Sequence, residues 1–291
     1  MRVIEFKHLN MIILPLLKIR FIFISTHFSM QKHYILLAFL TTILLIGCSK
    51  DNEPGQPAQS PNDHCEQYAA ERGFLFYEND HKMLYGGDND DWHFAIDNLT
   101  LDMCRLHHGV GRESFKALID PKYVPVSQEA NIYQDNERTI VVHTGGATYA
   151  YPVSLVRIHE VINDEINGEP VAVVYCVLAD FFRVYSRNVC DMVFTFALSG
   201  YTYNDPGIWD GRDGFVWWDR ETESLWWPLI DKAVSGVMKG LELNVFPKGE
   251  WKEISWKDVL EDYPEAMVLK RNQTMEPPED WIQYEGIPCG D

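Results

Sequence analysis

The residues best suited to chemistry are a histidine and a cysteine on either side of a predicted turn. Asn167-Gly168 separates Ile162-Asn-Asp-Glu-Ile166 from Val171-Ala-Val-Val-Tyr175. Asn-Gly between β-prone runs predicts a two-residue hairpin, because a type I′ turn needs positive φ at both positions. The turn sets the register: Ile166 opposes Glu169, Ile162 opposes Val173, and Val161 opposes Val174. Continued outward, the same register sets His159 opposite Cys176, provided the first strand reaches back that far. Directly opposed Cβ atoms lie roughly 5 Å apart, so an imidazole would meet a thiol.

Three readings of this pair are open. A thiolate–imidazolium pair would be a nucleophile with its base, and Asn163 or Asp164 would orient the ring. As two soft ligands the pair would suit copper or zinc. In the third reading Cys176 is a small core hydrophobe and His159 its hydrogen-bonded neighbour. Cys104-Arg-Leu-His107-His108 also holds ligand types, but no second CxxC or HxxxH completes it, so it reads as a disulfide cysteine and a polar loop. Tyr85-Gly-Gly-Asp-Asn-Asp-Asp91 lacks the spaced glycine and closing glutamate of a calcium loop and reads as an acidic turn. Trp209, Trp217, Trp218, Trp226 and Trp227 crowd one segment. They form either an aromatic cleft or, as is commoner at strand spacing, core and cross-strand pairs.

The elements that must position these residues are mostly short strands. Arg138 to Val142 and Thr148 to Tyr151 flank a Gly145-Gly146 turn. Phe181 to Tyr185, Met192 to Ala197, Phe215 to Asp219, Ser224 to Trp227 and Leu241 to Phe246 follow the central hairpin. Phe115, Leu118 and Ile119 have the spacing of a short amphipathic helix stopped at Asp120-Pro121, and Ser255 reads as the N-cap of a helix over Trp256 to Asp262. The expected class is α+β and β-rich, with mainly antiparallel strands and hairpins and a few short peripheral helices.

The address comes from the N-terminus. Lys32 precedes an apolar run that ends in Leu45-Ile46-Gly47-Cys48, which looks like a bacterial lipobox. In that motif a signal peptidase cuts before the cysteine and the sulfur carries diacylglycerol. Residues 1–47 therefore read as a signal peptide, with Met30 the better start. Residues 48–63 read as a lipidated cysteine and a flexible Pro- and Gln-containing tether, and 64–291 as one globular domain. Without the five basic residues and Glu5 that precede Cys48, the chain keeps 20 Lys+Arg against 42 Asp+Glu, a net charge of −22. That balance excludes nucleic acid as a partner, and the membrane is reached through the lipid. The expected location is the bacterial cell envelope, outside the cytoplasm. An oxidising compartment permits disulfides, and Cys65, Cys104, Cys190 and Cys289 allow three connectivities with Cys176 left over.

Four stretches together resemble the bacterial family catalogued as domain of unknown function 3179. They are Gly109 to Val124, Tyr151-Pro152 with Ile158 to Cys176, Phe196 to Asn204 with Asp219 to Trp226, and the Leu241 block with Trp256 to Leu269. Family members typically carry Tyr-Cys-Pro-Leu-Cys-Gly-Thr where this chain has Tyr175-Cys176-Val177-Leu178-Ala179-Asp180-Phe181. The resemblance implies a dithiol or metal site in the family, and here Ala179 stands in the second cysteine position. CxxC redox cycling is thereby ruled out, and a metal would need a replacement ligand from Asp180, His143 or Glu160. The leading expectation is a binding or accessory domain built on a partly degenerate His/Cys site. The alternative is a metal- or thiol-dependent enzyme using Cys176 and His159.

Overall fold

The computed structural model describes residues 61–247, 249–274 and 289, so the lipobox and most of the tether lie outside the described residues. The domain is α+β and β-rich. Four short helices, α1 (Pro61–Glu71), α2 (Val126–Glu129), α3 (Val153–His159) and α4 (Trp256–Asp262), accompany the sheets. The first of them opens within the last residues of the expected tether. Ser255 caps α4 as its sequence predicts, accepting the Asp258 N–H.

The central hairpin forms with its predicted register. Val161–Ile166 pairs antiparallel with Glu169–Cys176, from Ile166 opposite Glu169 to Val161 opposite Val174. Asn167 and Gly168 both have positive φ, as a type I′ turn requires. Phe181–Ser186 and Leu118–Ile119 complete a four-stranded sheet around it. Ala172, Val174 and Cys176 face one hydrophobic core, while Val171, Val173 and Tyr175 face another. A sheet covered on both sides needs apolar residues at successive positions, which is why VAVVY does not alternate with polar residues.

On the first face packs a five-stranded sheet ordered Lys232–Ala233, Leu225–Trp227, Gly214–Asp219, Phe196–Tyr203 and Leu106–His108. On the second packs another, ordered Trp251–Ser255, Arg138–Thr144, Ala147–Pro152, Met267–Leu269 and Tyr123–Pro125. Trp256 and Val259 of α4 cover the far side of that sheet against Val141 and Ala150. Cys65 is bonded to Cys104 and Cys190 to Cys289, leaving Cys176 as a free, buried thiol.

Several expectations are corrected. Leu118–Ile119 is a strand parallel to Val161–Ile166 and no helix spans Phe115 to Ile119. The i, i+3, i+4 spacing there loses to long-range pairing. The Leu241 block forms only isolated bridges, Glu242 with Lys232 and Val245 with Tyr185; Leu243 is buried, and so is Phe246, which strict strand alternation from Leu243 would turn outward. Four of the five tryptophans are core, because both faces of their sheet are covered. Trp217 stacks on Phe196 on one side, while Trp218 meets Phe94 and the Arg112 guanidinium on the other.

Gly200 marks a bulge in the strand Phe196–Tyr203, where the register shifts between Leu198 and Tyr201. Its φ is +86°, and a Cβ there would lie 1.9 Å from the Val110 carbonyl oxygen. Gly168 has φ +83° but nothing within 4 Å of a Cβ. Gly168→Ala is therefore expected to cost about 1 kcal/mol of conformational strain. Gly200→Ala adds a backbone clash and is expected to lower stability by a further 1–3 kcal/mol, roughly. Urea midpoints of the two variants check this, and equal losses would contradict it.

Candidate functional site

The chain does not bring His159 opposite Cys176. Pro152 closes the preceding strand and stands at the N-cap of α3, so the backbone coils through His159 instead of extending. Glu160 ends the helix in the left-handed conformation, φ 58°, with its N–H on the Val156 carbonyl. The register is regained at once, since the Glu160 carbonyl accepts the Tyr175 N–H at 2.9 Å. The strand thus starts one residue too late for His159. Its Nδ1 lies 2.8 Å from the Lys116 carbonyl, the position of an N–H donor. The imidazole is thus partnered by a backbone carbonyl and is not set across from the thiol by the hairpin register.

The acid nearest in kind to a partner for Cys176 is Glu160. Cys176 is fully buried, and its sulfur accepts backbone N–H groups from Ala179, Phe215 and Leu178. Burial nevertheless pushes the thiol pKa up, against those N–H groups, and the Glu160 charge pushes the same way. The thiol is therefore protonated and sealed at neutral pH. Ala179, in the position of the second cysteine, is also fully buried, and its carbonyl accepts the Trp209 indole N–H at 2.6 Å.

The remaining candidates have hydrogen-bond partners of their own within the fold. Asn163 ties two sheets together, donating to the Leu118 and Phe196 carbonyls and accepting the Phe196 N–H. Asp164 accepts the hydroxyls of Tyr123 and Tyr151 and the Glu165 N–H, and burial holds its pKa above the usual range. Asp180 accepts Arg138 at 2.6 Å and the Tyr175 hydroxyl at 2.9 Å, which lowers its pKa. His143 faces Thr148 on the outer sheet. Cys104 is oxidised, His107 meets Asp213 and His108 stacks on Phe74. Among the described residues no three His, Cys, Asp or Glu side chains gather as a metal site. The donor set does not fit copper or zinc.

What these elements build instead is a pocket of about 370 Å³ beside the end of α3. Val110, Phe115, Val177, Leu178, Leu198 and Phe215 supply apolar walls, and Arg157 and Glu160 the charged groups. The bulge at Gly200 brings the strand backbone onto the Gly109–Gly111 segment, with Gly109 and Val110 donating to the Gly200 carbonyl. Glu160 is 9% exposed; its Oε1 accepts the Val177 N–H at 3.4 Å, and burial raises its pKa to about 7. A mainly apolar concavity with few polar groups is the usual form of a small-molecule site. The sequence carries one sign of it. Val177 and Leu178, 41% and 58% exposed, are large apolar residues in a tight turn where polar ones are usual.

A family model described as a protein of unknown function (DUF3179) matches residues 112–288, more than half of the chain, so the chain belongs to that family. No curated protein and no solved structure matches it.

The Glu160 carboxyl gives the site a pH signature. A folded pKa near 7, above the ordinary 4.5, means the folded state holds the proton more tightly than the unfolded chain. That contribution is full below about pH 4.5 and is lost as pH rises through 7. Glu160→Gln removes it. The stability of the variant relative to wild type should rise from pH 5 to pH 8 by on the order of 3 kcal/mol. Denaturant titrations at both pH values test this, and a pH-independent difference would contradict it.

Proposed function

We propose that this member of the family is a lipid-anchored, extracytoplasmic binding domain that holds a small, largely apolar ligand in the Glu160 pocket. One observation carries the reading. Residues from three of the four stretches by which the chain resembles its family meet at this pocket: Gly109 and Phe115, Glu160, and Leu198 with Gly200 and Tyr201. The free thiol, by contrast, lies behind the wall with no exposed surface. Selection of ligand by shape and one buried acid needs no nucleophile.

The location rests on two supports. Leu45-Ile46-Gly47-Cys48 has the form of a lipobox. Two disulfides suit an oxidising compartment of the cell envelope. The acidic surface favours solubility at the end of a tether and disfavours nucleic acid.

Two measurements test the reading. Radiolabelled palmitate should enter the wild-type protein in bacterial cells and not Cys48→Ser; label retained in the variant would remove the anchor. Anilinonaphthalene sulfonate should brighten on the wild type. Leu178→Asp, a change at an exposed wall residue that leaves folding intact, should weaken the dye by at least about fivefold, the loss of one large apolar contact. Unchanged dye binding in Leu178→Asp would sink the pocket.

A further inference from the structure

The arginines of this acidic domain are largely spoken for. Arg112 faces Glu223, Arg138 faces Glu253 and Asp180, Arg183 faces Asp231, Arg220 faces Glu113, and Arg271 faces Glu129. Arg157 differs. It is exposed, and it has no hydrogen-bond or ion-pair partner among the described residues. In a chain with so large an acidic excess, an unpaired guanidinium is the exception. It stands where two concavities meet: the apolar Glu160 pocket and a polar one of about 420 Å³ lined by Glu137, Arg138, Ser154 and Tyr175. Arg157 and Val177 belong to both.

Glu160, one helical turn on, has one oxygen engaged weakly by Val177, and its other oxygen accepts no hydrogen bond among the described residues. Residues three apart on a helix are neighbours, yet Arg157 and Glu160 do not pair with each other. The site therefore presents a solvent-facing cation and a buried acid with an open oxygen, not paired with each other, above an apolar floor. A ligand complements all three at once if it carries a carboxylate, an ammonium and an apolar group on neighbouring atoms.

We propose that the pocket takes a free α-amino acid with an apolar side chain, its carboxylate on Arg157, its ammonium on Glu160, and its side chain against Val110, Phe115, Leu198 and Phe215. This rests on the reading of the pocket as a ligand site. The planar guanidinium suits bidentate carboxylate recognition, and a buried carboxylate with an open oxygen suits an ammonium donor. The apolar walls set the preference for side chain. A simple fatty acid would leave Glu160 buried against hydrocarbon without a partner, and an apolar amine would leave Arg157 unused.

Isothermal titration calorimetry on the full chain in lipid nanodiscs tests this with three isosteric probes: leucine, leucinamide, which lacks the carboxylate, and isocaproate, which lacks the amine. Leucine should bind, and each truncated probe should bind at least about tenfold more weakly, the loss of one charge-assisted contact. Arg157→Gln should bind leucine no better than leucinamide. Glu160→Gln should bind it no better than isocaproate. Isocaproate or leucinamide binding the wild type as tightly as leucine overturns the proposal. So does the failure of all three while anilinonaphthalene sulfonate still reports the Leu178 wall, in which case the pocket reading survives. If the dye fails as well, both readings fall. Arg157 is exposed, so its substitution leaves the fold intact, which circular dichroism verifies.

Discussion

The burial of the Val161–Cys176 hairpin on both faces is the constraint on which the rest of the structure depends. A two-sided sheet has no solvent to satisfy a stray polar group, so every polar side chain on it must be met by the protein. Asn163 is met by the backbone of two neighbouring strands, and Asp164 by two tyrosine hydroxyls. The same burial seals Cys176 and raises its thiol pKa. Only at the ends of the hairpin does the demand relax. One end is the Asn167-Gly168 turn, and the other is the junction of α3 with Glu160, where the pocket opens.

The two ends differ in how plainly the sequence announces them. Asn-Gly needs nothing but local φ preferences, so the turn and the register out to Val161 could be read directly. The other end could not. The pairing of His159 with Cys176 required the strand to reach back to His159, but Val153-Ser-Leu-Val-Arg-Ile-His159 coils, held by Pro152 at its start and a left-handed Glu160 at its end. No glycine marks that left-handed position. This seven-residue helix takes His159 out of register and leaves Glu160, opposite Tyr175, as the first residue back in it. The disulfides depend in the same way on distant folding: Cys176 is the odd thiol as expected, though no histidine faces it, and the pairing of the other four did not follow from spacing.

The tryptophans carry the same lesson. Trp217 and Trp218 point to opposite faces of their strand, as alternation demands, and both are buried because each face meets another layer. Strand periodicity tells which way a side chain points but not whether the far side is covered. Asp219 shows what such covering requires. It is fully buried with a pKa raised to about 7 by that burial, and it accepts the Trp226 indole N–H and the Thr222 hydroxyl. A buried acid with a raised pKa therefore closes a hairpin. Glu160, by contrast, is buried with only one weak hydrogen bond, from the Val177 N–H, among the described residues.

The central claim is that the open pocket and not the sealed thiol is the working part of the domain. Mass spectrometry of Cys176 after exposure of the folded protein to iodoacetamide near pH 8 tests it most directly. The account predicts no carbamidomethylation of Cys176 until denaturant unfolds the protein, because the thiol is both protonated and without a path to solvent. Rapid labelling of the folded protein would contradict it and return the domain to thiol chemistry.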